Sequence, residues 1–114
     1  MDTATLLLSL VLAQTSQADL RCTPTGEDFV YDCSITLTRG GRPVEGARIT
    51  VGADMPSMPM AHNVRPVTAV AADTPGTYRA RVALEMYGVW TVRLRIASPV
   101  RDQITKTIEF QKSP

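Results

Sequence analysis

The chain has 114 residues, which is enough for one domain of ordinary size and too few for two. Hydrophobic residues make up 44% of it and charged residues 20%, a globular balance that excludes intrinsic disorder. A net charge of +1 is too small to indicate nucleic acid or an anionic membrane as a partner.

The first eighteen residues have the pattern of a secretory signal peptide. An apolar run over residues 6–13 precedes Ser16 and Ala18, small residues at the positions that a signal peptidase reads. We predict a signal peptide over residues 1–18 and one mature domain over residues 19–114. Asp2, with no Lys or Arg beside it, departs from the pattern. The apolar run is too short to span a bilayer, so we expect a periplasmic protein without a membrane anchor after cleavage.

Cys22 and Cys33 are the two cysteines of the chain. In an exported chain such a pair predicts a disulfide, which would add about 2 to 3 kcal/mol by the chain-entropy estimate. A redox-active or thiolate metal site would instead need a cytosolic setting or a CxxC-like spacing, and the two cysteines do not have that spacing.

After the signal, apolar and polar residues alternate with a period of two, which is typical of strands with one face on a core. The inward positions in chain order are Leu20 and Cys22, then Phe29, Tyr31, Cys33, Ile35 and Leu37, then Ala47, Ile49 and Val51, then Tyr78, Ala80, Val82 and Leu84, then Trp90, Val92, Leu94 and Ile96, and finally Ile104, Ile108 and Phe110. Residues 67–71 form a further short strand, and residues 39–43 and 73–76 are turns by their Gly and Pro content.

About seven strands without a helix predict an all-β fold, an antiparallel immunoglobulin-like β-sandwich. The chain is not a true immunoglobulin domain, because Trp90 follows both cysteines instead of lying between them.

Four arginines alternate with inward positions: Arg79, Arg81, Arg93 and Arg95. We predict that they lie on the outer faces of two neighbouring strands. They would form either a docking surface for an acidic partner or, as we favour, a solvated face that discourages edge-to-edge pairing.

The stretch DMPSMPMAH, residues 54–62, is called the Met-Pro segment below. It holds three of the four methionines of the mature chain and the only histidine. A thioether is a soft, neutral donor that suits Cu(I) and suits Zn, Mg or Ca poorly, while imidazole accepts either oxidation state of copper. The composition of the segment therefore indicates copper, and Cu(I) more than Cu(II).

Spacing supports this interpretation, because in an extended conformation Met58, Met60 and His62 share one face with Cβ atoms about 6.6 Å apart. If the segment before Pro59 is instead polyproline-like, its period of three places Met55 and Met58 on one side. Pro56 and Pro59 exclude a central strand and favour an edge or a stiff exposed loop, which loses less entropy on closing around an ion. The competing interpretation is that the methionines fill a core and the histidine is structural.

The stretch from Gly41 to Phe110 resembles the YtkA-like and FixH-like domain family. The resemblance lies in the order of GRPVEGA (41–47), the Met-Pro segment, PGTY (75–78) and EMYGVW (85–90). It implies a small exported β-sandwich that handles copper, for cytochrome oxidase assembly or for copper tolerance. The metal ligands implied by the resemblance are Met55, Met58, Met60, His62 and Met86.

The chain also departs from related copper proteins. It has no second, distant His-x-Met, since His62 is its only histidine, and no amino-terminal histidine for Cu(II). A Cu(II) site is therefore not expected.

Three hypotheses follow. The favoured one is a periplasmic Cu(I) carrier or chaperone, whose partner is a cytochrome oxidase assembly factor or a copper-export component. The alternative is a metal-free interaction module that binds a membrane or efflux complex through its Met-Pro loop. An enzyme is least favoured, because the sequence provides no set of nucleophile and base.

Overall fold

The computed structural model describes residues 15–58 and 63–112. Within these ranges the chain forms strands and no helix. The strands are β1 (Ser16–Pro24), β2 (Val30–Arg39), β3 (Arg42–Pro43), β4 (Arg48–Asp54), β5 (Asn63–Thr68), β6 (Val70–Ala71), β7 (Thr77–Ala83), β8 (Gly88–Ser98) and β9 (Asp102–Phe110). Seven of them have six or more residues, as the turn spacing predicts.

The strands form two antiparallel sheets. The first sheet has the order β1-β2-β7-β6, with β3 also paired to β2, and the second has the order β5-β4-β8-β9. Each sheet places its apolar face against the other, which confirms the predicted all-β sandwich. No helix in the described part of the chain is long and apolar enough to cross a membrane.

The core follows the alternation of the sequence. Trp90 of β8, Tyr78 of β7 and Ile35 of β2 are among the largest fully buried side chains, and each has polar or partly exposed neighbours along its strand. Burying one large apolar side chain stabilises the fold by about 1.5 to 3 kcal/mol before entropy is counted. The inner faces of β2, β4, β7 and β8 therefore supply most of the stabilisation.

The short strand predicted over residues 67–71 is wrong in its extent. The chain forms β5, which pairs with β4 in the second sheet, and then β6, which pairs with β7 in the first. Between them Ala69 is buried, and its N–H donates to the carbonyl of Ile49 at 2.9 Å. The chain therefore passes from the second sheet to the first at Ala69. An alternation over five residues is too short to predict this change of sheet.

The predicted placement of the arginines is partly wrong. Their side chains do lie outward, but β7 belongs to the first sheet and β8 to the second, so Arg79 and Arg81 occupy the opposite face from Arg93 and Arg95. The connection between β7 and β8 crosses from sheet to sheet instead of forming a hairpin. Alternation identifies which side chains face the core but not which sheet carries them.

The predicted disulfide is confirmed. Cys22 of β1 lies directly opposite Cys33 of β2, their Cα atoms are 4.0 Å apart, and the two sulfurs are bonded. Cys33 is buried and Cys22 is half-buried. The bond ties an edge strand to the interior of its sheet.

The first strand begins at Ser16, ahead of the predicted cleavage point. Ala18 is buried and lies opposite Leu37 of β2. Cleavage after Ala18 would remove the first three residues of β1. The rest of the predicted signal peptide, residues 1–14, lies outside the described residues, and the signal peptide stays a prediction.

One end of the sandwich, called the Met end below, gathers the segments that carry the predicted site. The registers Val30 with Ala83 and Asp54 with Thr91 place residues 25–29, 55–58 and 84–87 there. The pairing of Gly88 with Phe110 brings residues 111 and 112, which follow β9, to the same end.

Candidate metal site at the Met end

The Met-Pro segment begins inside the core. The inward series of β4, Ile49, Val51 and Ala53, continues to Met55, whose side chain is only 4% exposed. The expectation that the segment starts as a surface loop is therefore wrong for Met55, because the period of two extends one residue beyond the strand.

Met55 packs against Gly88 at the start of β8. A Cβ atom on Gly88 would lie 2.8 Å from the methyl carbon of Met55, so a side chain at this position would require the flexible end of the methionine to shift. Gly88 also has φ +136°, which L side chains rarely adopt. Sequence reasoning missed the role of Gly88, because GVW gives no sign of which residue packs against the glycine.

The chain turns outward after Met55. The N–H of Met58 donates to the carbonyl of Met55 at 3.0 Å, with Pro56 and Ser57 at the centre of the turn. Proline favours the first central position of such a turn because its φ is already set. The side chain of Met58 emerges 42% exposed, which places its thioether where an ion could reach it.

Met86 lies on the neighbouring connection. Its side chain is half-buried and packs against the core, and its carbonyl accepts a hydrogen bond from Nε1–H of Trp90 at 3.1 Å. Because Gly88 follows two residues later and contacts Met55, the structure brings the connection of Met86 beside the start of the Met-Pro segment.

Met60 and His62 lie outside the described residues, with Pro59 and Ala61, so their roles as ligands stay predictions. The described residues fix both ends of their segment. Asp54 pairs with Asn63, which makes residues 55–62 the connection between the adjacent strands β4 and β5.

The negative charge of Asp54, at the start of this connection, is neutralised by an ion pair. The carboxylate of Asp54 accepts a hydrogen bond from the guanidinium of Arg93 at 3.0 Å, and both side chains are about one-third exposed. Over residues 15–58 and 63–112, no group of three or more His, Cys, Asp and Glu residues could hold a metal ion.

The chain is similar to a known protein family. Residues 14–95 match the family model described as YtkA-like, which covers 82 of the 114 residues. The match includes both cysteines, the Met-Pro segment and the connection of Met86, and its domain type is not a known enzyme family. No curated protein and no solved structure matches the chain significantly.

Proposed function

Because this chain belongs to the YtkA-like family, we propose that it is an exported copper-binding protein that carries Cu(I) as its cargo. The observation that supports the proposal most is the exposed thioether of Met58, held at the start of a proline-containing connection whose ends are fixed by two paired strands. A donor segment anchored at both ends loses less conformational entropy when it closes around an ion.

The proposed primary ligands are Met58, Met60 and His62. Their thioethers and imidazole suit Cu(I), and release of the ion by ligand exchange leaves no thiolate charge on the protein. Met86 is a further candidate, since its connection adjoins the segment. Met55 is the least accessible of the five candidates, because its side chain is 4% exposed and would have to leave the core to bind an ion.

The proposed location is the periplasm, with a cytochrome oxidase assembly factor or a copper-export component as donor or recipient of the metal. The disulfide between Cys22 and Cys33 supports export, because such bonds persist in oxidising compartments. We propose a carrier role and no catalysis.

The test is an anaerobic Cu(I) titration against a chromophoric Cu(I) chelator. Changes around a metal that do not touch it typically cost 10- to 100-fold in affinity, so removal of two direct ligands in Met58→Leu/Met60→Leu should weaken Cu(I) binding by at least about 100-fold. Met55→Leu is the matched control and should bind Cu(I) like the wild type. Thermal unfolding checks that each variant is folded. Equal Cu(I) affinity in the double variant and the wild type would refute the proposed site.

The second candidate function is a metal-free interaction module. It is favoured by apolar side chains on the surface, since Met58 is 42% and Val89 46% exposed. Leucine keeps the apolar volume of methionine, so binding of a protein partner would survive the double substitution. A wild-type protein that does not compete for Cu(I) would favour this function.

A further inference from the structure

We propose that a groove at the Met end binds a cationic side chain, arginine in the first place, of a basic protein partner. The groove has a volume of about 310 Å³ and lies where the connection between β1 and β2 meets the connection between β7 and β8. The residues that matter among those lining it are Glu27, Asp28, Phe29, Tyr31, Tyr87 and Lys112.

The apolar part of the groove is an aromatic wall. The rings of Phe29 and Tyr87 have centroids 4.6 Å apart, and Tyr31 packs edge-on against Phe110 at 4.7 Å. Phe29 and Tyr87 are half-buried, so part of their surface remains open to a ligand. The faces of aromatic rings carry negative potential and attract cations within about 6 Å.

The wall is held in place by the backbone. Phe29 has φ +66°, an uncommon conformation for a non-glycine residue, and its carbonyl accepts a hydrogen bond from the N–H of Leu84 at 2.9 Å. The hydroxyl of Tyr31 donates to the carbonyl of Gln111. The wall therefore exists before any partner arrives.

Negative charge lies beside this wall. Glu27 and Asp28 are exposed, and neither lies within ion-pair distance of a described cation, although the charge of Glu27 also acts on Arg81. The nearby cation Arg81 is already bound to Asp32, with Nε 3.0 Å from the carboxylate. Open carboxylates next to aromatic faces complement a guanidinium, which stacks on rings and pairs with carboxylates in one plane.

Lys112 is the competing cation within the protein. It is exposed and lines the groove near the end of the described chain. If the groove served only this side chain, an external cation could bind only after Lys112 was neutralised.

The identity of the partner rests on the proposed function. Tyr87 directly follows Met86, so a basic segment seated in the groove would lie beside the candidate copper ligands. The partner expected there is a copper donor or recipient with a basic surface, for which the groove would serve as an alignment point.

The experiment is an NMR titration of the ¹⁵N-labelled protein, without copper, with acetyl-Gly-Arg-Gly-amide and with the same peptide carrying neutral citrulline in place of arginine. We expect saturable shifts of the amides of residues 27–31 and 87 with the arginine peptide, and binding at least about tenfold weaker with citrulline. Glu27→Gln/Asp28→Asn should abolish the shifts. The control Glu45→Gln/Asp73→Asn, away from the Met end, should leave them unchanged.

Equal binding of the two peptides, shifts confined to other residues, or unchanged binding in Glu27→Gln/Asp28→Asn would overturn the proposal. Binding that emerges only in Lys112→Gln would assign the groove to the protein's own lysine and would overturn it too. Because no copper is present, a failure here leaves the Cu(I) titration untouched, and a failed Cu(I) titration leaves this result standing.

Discussion

The contact between Met55 and Gly88 joins two connections of the Met end through a single methyl group. Met55 ends the inward series of β4, while Gly88 begins β8, and the missing side chain of the glycine leaves the space that the methionine occupies. Met55 therefore acts as an anchor, and the turn that follows it exposes Met58.

This contact predicts that Gly88 and Met55 are energetically coupled. Gly88→Ala introduces strain at φ +136° and a contact of 2.8 Å with the methyl carbon of Met55. In a Met55→Ala background only the strain remains, so Gly88→Ala should lower the free energy of unfolding by less there, with a coupling of about 0.5 to 2 kcal/mol. Urea denaturation of the four proteins measures this cycle. Additive losses would show that the methyl group of Met55 moves aside without cost, so that the contact does not couple the two residues.

Strand β1 is an edge of the first sheet, and among the described strands it pairs with β2 alone. Its disulfide lies part of the way along this pair, so the strand is held covalently as well as by the hydrogen bonds of the ladder.

The disulfide predicts a clear loss of stability on its removal. The bond closes a loop with a sequence separation of 11 residues, and Cys22→Ala/Cys33→Ala should lower the free energy of unfolding by about 3 kcal/mol. Urea denaturation with and without a reductant provides the control. The reductant should destabilise the wild type by a similar amount and leave the variant unchanged; an equal effect on both proteins would contradict the assignment.

At the scale of the molecule, the end of β9 and the residue that follows it are tied to the core at the Met end. Tyr31 of β2 packs on Phe110, and its hydroxyl donates a hydrogen bond to the carbonyl of Gln111. Burial, and to a lesser degree the neighbouring Tyr87, raises the pKa of the Tyr31 phenol above its usual value near 10.

This raised pKa predicts a loss of stability in alkali. The folded state holds the phenol proton more tightly than the unfolded state, so the stabilisation is complete below about pH 10 and is lost as the pH rises through the folded pKa. The free energy of unfolding of the wild type should fall as the pH rises above about 10, and that of Tyr31→Phe should fall less. Urea denaturation at a series of pH values measures both. Parallel curves for the two proteins would rule out Tyr31 as the source.

Sequence alone determined the local features of the fold. Alternation identified the buried faces of β2, β4, β7 and β8, glycines and prolines marked the turns, and the pair of cysteines indicated their disulfide. These features could be predicted from the sequence because each depends on residues close together in the chain, or on a residue type that usually has one structural role.

The chemistry of the candidate site was likewise readable from the residues, because thioethers and one imidazole prefer Cu(I) wherever the fold places them. The sequence did not predict which of these side chains are accessible to an ion. Tertiary structure buries Met55 against a glycine 33 positions away in the sequence, exposes Met58, and brings the connection of Met86 beside them.

Tertiary structure alone also decided the pairing of strands. It placed β7 and β8 in different sheets, and it moved the chain from one sheet to the other at Ala69. The physical reason is that the period of two is a property of each strand by itself, whereas the choice of sheet depends on which distant strand completes the hydrogen bonds and fills the core.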